Sequence, residues 1–191
     1  INLIVGGNGS GKTSILEAIY LLGRGRSFRG QRIQQVIRTG NDCLEVIGRS
    51  DSSNRLVAGI RRCRKESALR INGEPITKIS ELARAFPLHL ATPRTQKLLE
   101  KGPEIRRRFI DWGLFHVEPG FHELFRRYQR TLRQRNEALK KQPRTARIWD
   151  GQLADWGEKI DDLRLRYLQE LSDQFEAIRQ DIGPAGRISI T

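Results

Sequence analysis

The sequence predicts an α/β protein in three parts: a phosphate-binding P-loop head, a small antiparallel β-subdomain beside it, and a helical lobe inserted after that. Three observations carry the prediction. An apolar run, Ile1 to Val5, leads into the glycine-rich stretch Gly6-Gly7-Asn8-Gly9-Ser10-Gly11-Lys12-Thr13, and an apolar-periodic segment, Ser14 to Leu22, follows it. Four short strand-like runs with turn residues between them come next, and from about Thr92 helical spacing takes over.

The glycine-rich stretch fits G-x-x-x-x-G-K-[ST] and sits where a phosphate loop must sit, after a strand and opening a helix. Backbone N–H groups of such a loop converge on a phosphate, and the N-terminus of the following helix adds a favourable dipole for an anion. Lys12 then serves as a point charge for the β- and γ-phosphates, and the Thr13 hydroxyl as a ligand for a magnesium ion bridging them. A glycine-rich turn could match by chance, but the order strand, loop, helix speaks for a nucleoside triphosphate site.

After the loop, Ile15, Leu16, Ile19, Tyr20 and Leu22 recur at helical spacing, with Gly23 as a C-terminal stop. This predicts a helix lying on a sheet. Residues Cys43 to Gly48, Arg55 to Arg62 and Ser67 to Ile71 read as strands, and Asn72-Gly73 before Glu74 to Ile76 signals a type I′ hairpin. Ile79 to Phe86 reads as a short helix capped by Ser80, ended by Pro87, with Leu88 to Ala91 a short strand. Glu104 to Phe115 is the first helix of the lobe, and Pro119-Gly120 breaks it. Phe121, Leu124, Phe125, Tyr128, Leu132 and Leu139 form the stripe of a second, ended by Pro143. A third runs from about Ile148 to Ile182, where Trp149, Leu153, Trp156, Ile160, Leu163 and Tyr167 make a heptad seam, continued less strictly by Leu171, Phe175 and Ile178. The expected division is therefore 1–99 for the head with its β-subdomain, 100–186 for the helical lobe, and 187–191 for the start of a strand returning to the head. With strand-like runs at both ends, the sequence reads as part of a longer chain.

Composition narrows the partners. The 191 residues include 35 Lys and Arg against 22 Asp and Glu, a formal charge of +13, which favours a polyanion and above all nucleic acid. Five arginines, Arg24, Arg26, Arg29, Arg32 and Arg38, fall in a stretch without an acidic residue, where they repel one another unless anions face them. Residues 101–147 carry a net +8 and residues 148–182 a net −5. That split suits an antiparallel helix pair with charge pairing across its seam, but leaves positive charge over; Arg126, Arg127, Arg130 and Arg133 are the candidates for a face that meets a phosphate backbone. No apolar run is long enough to cross a bilayer and the mean hydropathy is −0.56, so no membrane role and a cytoplasmic location are expected. Cys43 and Cys63 lack a CxxC partner or a nearby histidine, which predicts reduced thiols rather than a disulfide or a zinc site. His89, His116 and His122 share no face and read as packing residues.

Several of these stretches resemble one family. The loop followed by Glu17-Ala18-Ile19 has the Asn-Gly flavour of ABC-type and SMC-like ATPases. Gly25-Arg26-Ser27-Phe28-Arg29, Gly102-Pro103 with Arg106-Arg107-Arg108-Phe109-Ile110-Asp111-Trp112, Tyr128 with Leu132 and Gln134-Arg135-Asn136, and Trp149-Asp150 with Leu153 are similar, in that order and spacing, to the RecF family of recombinational-repair proteins. The resemblance implies an SMC-like head without the long coiled coil, with ATP and Mg2+ as cofactors, slow DNA-dependent hydrolysis, ATP-driven homodimerisation, duplex or gapped DNA as ligand, RecR and RecO as partners, and roles in DNA replication, DNA damage repair and the SOS response. It also implies that the Walker A loop of one subunit faces a signature motif of the other, and that this motif and a Walker B carboxylate lie beyond Thr191. No catalytic residue is thus expected within this chain, which alone is not expected to hydrolyse ATP. One departure is Arg94, where the family commonly has an acidic residue after the proline of Ala91-Thr92-Pro93; Gln96 is the candidate for the polar Q-loop group.

A P-loop phosphotransferase acting on a phosphorylated small substrate is the rival reading, with the arginines between Arg24 and Arg32 as a lid. The heptad seam and the charge-split helices, for which a small kinase has no use, weigh against it. An SMC structural head would need arms longer than Ile148 to Ile182 allows.

Overall fold

The computed structural model describes residues 1–30, 35–50, 55–92, 102–141 and 143–182. The chain divides into two compact units, Ile1–Pro93 and Arg94–Thr191.

The first unit is a helix on an antiparallel meander. Helix α1 (Lys12–Arg24) ends where Gly25 takes a left-handed φ of 63° and its N–H caps the Leu21 carbonyl at 2.8 Å. Strands β1 (Cys43–Ser50), β2 (Leu56–Cys63), β3 (Ser67–Ile71) and β4 (Glu74–Ile76) pair in sequence order, each antiparallel to the next. The turn between β3 and β4 is the expected hairpin: Asn72 and Gly73 have φ of 51° and 88°, both left-handed as a type I′ turn requires. Asn72 also exchanges bonds with Val57, its N–H donating to the Val57 carbonyl at 2.7 Å and its Oδ1 accepting from the Val57 N–H at 2.8 Å. Helix α2 (Ile79–Ala85) closes the core, in which Leu21, Leu22, Ala58, Ile60, Leu69 and Leu82 are buried together.

Five expectations need correction here. Ile1 to Val5 forms no strand, and Ile1, Leu3 and Val5 are exposed, because a strand exists only through a partner's ladder and no described residue supplies one. On α1 the buried face is Glu17, Tyr20, Leu21 and Leu22, whereas Ile15, Leu16 and Ile19 stay 45–50% exposed; the meander and α2 cover one side of the helix only. Ser80 is not the cap of α2, since Lys78 holds that position without a side-chain bond. Leu88 to Ala91 forms no strand. Finally, Cys43 and Cys63 form a disulfide. The antiparallel register sets them directly opposite each other with Cα atoms 4.1 Å apart, a relation that their separation of 20 residues does not reveal.

The second unit is a three-helix bundle. Helix α3 (Pro103–Val117) starts with proline at its first position, and Gly120, φ 92°, turns the chain into α4 (Phe121–Lys141). A 3₁₀ segment, Pro143–Trp149, then leads into α5 (Asp150–Ile182). Tyr128 lies beside Gly157 and Arg135 pairs with Asp150, so α4 and α5 run antiparallel. The heptad seam is visible in the burial of α5: Leu153, Trp156, Ile160, Leu163, Tyr167, Leu171 and Phe175 are all sheltered, while Ile178 is 57% exposed. On α4 the stripe runs through Phe121 and Thr131, and Ala138 replaces the expected Leu139 on the sheltered side. The run expected over 187–191 lies outside the described residues.

Candidate nucleotide-binding site

The loop before α1 is built for close approach. Gly9 and Gly11 take left-handed φ of 83° and 89°, which any side chain resists. A Cβ added at Gly7, Gly9 or Gly11 would meet nothing within 4 Å, so the space around the loop is open and the backbone is bare toward it. At Gly6 a Cβ would meet the Ser10 hydroxyl at 2.7 Å, which marks where the loop folds on itself.

The helix end completes the cradle. The first intrahelical bond is from the Ile15 N–H to the Gly11 carbonyl at 3.1 Å, so the N–H groups of Lys12, Thr13 and Ser14 have no helical acceptor. No side chain caps Gly11, and the first turn holds no acidic residue. These free donors and the dipole behind them make an electropositive spot one residue from Lys12. The Lys12 ammonium lies back over the loop, donating to the Gly6 and Gly7 carbonyls at 2.7 and 2.6 Å. The loop thus holds its own cation at its mouth. Asn8 and Ser10 are exposed in the loop, and Thr13 lies half-buried in the first helical turn. Bare backbone, orphan donors, left-handed glycines and a tethered ammonium are a donor set suited to phosphate oxygens, and Thr13 adds a hydroxyl in the first turn of the same helix.

Spacing alone assigns Glu17 no role. It lies one turn beyond the cradle and is only 2% exposed. Its Oε1 accepts from the Phe28 N–H at 3.1 Å, and its Oε2 faces the Arg29 Nε at 3.6 Å. The Tyr20 and Phe28 rings meet edge to face at 5.5 Å. The basic loop after α1 is therefore tied to the helix that begins at the phosphate site. Apolar spacing gave no signal of this, because Ile15, Leu16 and Ile19 point to a different face of the helix from the one that is buried. Beside it, Ser14, Glu17, Ser27, Arg29 and Val46 line a cavity of about 370 Å³.

The four arginines proposed for a nucleic-acid face divide. Arg130 and Arg133 are exposed on α4, with no carboxylate partner among the described residues. Arg126 lies 3.7 Å from Glu123 and shares their side of the helix by the spacing of four and three residues. Arg127 is occupied elsewhere: its Nε donates to Glu123 at 3.1 Å and its guanidinium lies 5.8 Å from the Trp156 ring centroid. Among the described residues the only ion pair between α4 and α5 is Arg135–Asp150, at 2.6 Å. Pairing across that seam thus leaves most of the basic charge of α4 to solvent. His116 and His122 pack on Phe115, with ring centroids 4.9 and 5.3 Å away. Gln96 lies outside the described residues. No described helix is long and apolar enough to cross a membrane.

No family model matches the chain. It is 40% identical over 195 residues to the DNA replication and repair protein RecF of Chromohalobacter salexigens, spanning all of this chain and 54% of that one. With the protein of the same description from Xanthomonas axonopodis pv. citri it shares 42% over 193 residues, 97% of this chain and 52% of the relative. The chain thus spans about half the length of the curated relatives it matches. A solved structure of the recombination mediator protein RecF with ATP, described as part of the RecFOR pathway, superposes with a TM-score of 0.77 at 28% identity, over 90% of this chain and 48% of that one. The likeness also settles the fold class as that of an ABC/SMC-type ATPase head. With about two-fifths of its residues identical along essentially its whole length, and with the fold of an ATP-bound relative, the chain is similar throughout to RecF proteins over about half of their length.

Proposed function

We propose that the chain carries the phosphate-binding half of an ATP-dependent DNA-binding protein of repair and recombination. The observation that carries this reading is the Gly6–Thr13 cradle, with Lys12 held over its mouth, in a chain similar to a RecF solved with ATP. ATP bound there supplies the triphosphate charge that, with Mg2+, completes an interface between two heads. The chain's own residues do the rest. Backbone N–H groups at the start of α1 receive phosphate oxygens, Lys12 exchanges two carbonyls for an anion, and the Thr13 hydroxyl orients the metal. Closure of a homodimer aligns the exposed Arg126, Arg130 and Arg133 of each copy on duplex or gapped DNA. RecR- and RecO-type mediators, replication-linked repair, the SOS response and a cytoplasmic setting follow from the similarity to RecF proteins. Residues 1–99 act as the head and residues 100–186 as the DNA-facing lobe in this reading.

The test is Lys12→Ala in the full-length protein. Loss of a charge-assisted contact worth about 1.5–3 kcal/mol weakens ATP binding by about tenfold to a hundredfold. ATP-promoted dimerisation and DNA affinity fall with it, read by titration calorimetry and DNA anisotropy. Unchanged ATP-dependent DNA binding in the variant sinks the proposal.

A further inference from the structure

Two basic stretches distant in the chain meet on one surface of the first unit. Arg62, near the end of β2, donates from Nη2 to the Gly25 carbonyl at 3.3 Å across 37 residues of chain, and from Nη1 to the Ser67 hydroxyl. Its guanidinium staples the loop after α1 to the β2–β3 turn. Both ends of the staple are fixed. A Cβ at Gly25 would meet Ile79 at 2.6 Å, which locks the left-handed turn, and the Cys43–Cys63 disulfide closes the hairpin beside Arg62. In the loop itself the Ser27 hydroxyl accepts from the Arg29 and Gly30 N–H groups at 3.0 and 3.3 Å.

Between loop and turn lies a cavity of about 310 Å³ whose charged walls are Arg26, Arg62, Arg64, Lys65 and Glu66, four cations against one anion. Arg62 is occupied by the staple. Arg26, Arg64 and Lys65 are exposed, and none of the three takes part in an ion pair among the described residues. Like charges lining one cavity repel one another, and an anion entering it relieves that repulsion. The walls contain no aromatic side chain on which a base could stack. The cations come from two segments, a loop and a turn, as suits a ligand with repeated charges; duplex DNA carries one per about 1.7 Å of its axis.

We infer that this surface is a second contact for a nucleic-acid phosphate backbone, with Arg26, Arg64 and Lys65 meeting phosphates on the head unit itself. It rests on the DNA-binding reading above and adds to it a site outside the helical lobe. The experiment measures binding of the full-length protein, with ATP, to a fluorescent duplex across a salt series, for Arg64→Gln/Lys65→Gln and for Arg26→Gln. Removing one cation from a phosphate makes the slope of log affinity against log salt shallower by about one, so the double variant flattens it by about two and the single by about one. ATP affinity and the melting profile stay as in the parent, which shows that the variants fold. Parental slopes in variants that still bind DNA overturn the inference and leave the DNA-binding reading intact; a surface kept for an acidic protein gives that same result. A parent protein that binds no DNA at any salt overturns both.

Discussion

Gly113 of α3 faces the Tyr167 ring of α5, and a Cβ there would overlap that ring, meeting its Cε1 at 2.7 Å. Alanine is the better helix former by about 1 kcal/mol, so propensity alone favours Gly113→Ala. Overpacking costs about 1–3 kcal/mol, and the neighbour is the ring of a seam residue that the rest of the bundle holds. The steric loss wins. Gly113→Ala is expected to lower the stability of the helical unit by up to about 2 kcal/mol in denaturant melts, and a stabilised variant would refute the packing. Tyr167 was legible in the sequence as a seam residue, yet its partner was not, because spacing within one helix says nothing of which residue faces it. The same limit hid Cys43–Cys63 and the bidentate Arg164–Asp111 pair at 2.9 and 3.1 Å, which joins α5 to α3 rather than to the basic α4. Asn72-Gly73, by contrast, was legible in full: its turn type depends on two residues' own φ angles.

At the scale of elements, periodicity predicted what packing within the chain could satisfy. The α5 seam holds as far as Phe175 because α3 and α4 cover it, and Ile1 to Val5 fails because no described residue pairs with it. Charge within the helices is also local. Glu176 is held down from the usual 4.5 to about 2, chiefly by hydrogen bonds from Arg179 one turn on, against a smaller opposing effect of desolvation. Hydrogen bonds from Arg127 and Lys140 lower Glu123 and Glu137 in the same way. A carboxylate depressed in the folded state contributes stability that is complete above its unfolded pKa and is lost as pH falls through the folded value. For Glu176 the window therefore runs from about 4.5 down to about 2. Melting temperature is expected to fall across that window, and Glu176→Gln to flatten the fall. A variant with the parental acid limb would show that the pair contributes nothing in solution.

For the whole molecule the decisive quantity is where the charge of +13 lies, and composition fixes its amount without its placement. Arithmetic over residues 101–182 allowed α5 to neutralise α4, but among the described residues a single ion pair, Arg135–Asp150, joins those helices. The four arginines singled out from sequence are thus not equivalent. Arg130 and Arg133 are exposed with no carboxylate partner among the described residues, whereas Arg127 is spent on Glu123 and Trp156. Neutralising a phosphate contact changes the salt dependence of DNA binding, while removing a cation over an indole changes stability by about 0.5–1 kcal/mol. Arg130→Gln/Arg133→Gln is therefore expected to make the salt slope shallower by about two at unchanged melting temperature. Arg127→Gln should do the reverse, lowering the melting temperature of the helical unit and leaving the slope within error of the parent. Equal slopes for both variants would mean that exposure on α4 does not decide which arginines meet the phosphates, and that DNA takes up another face of the protein.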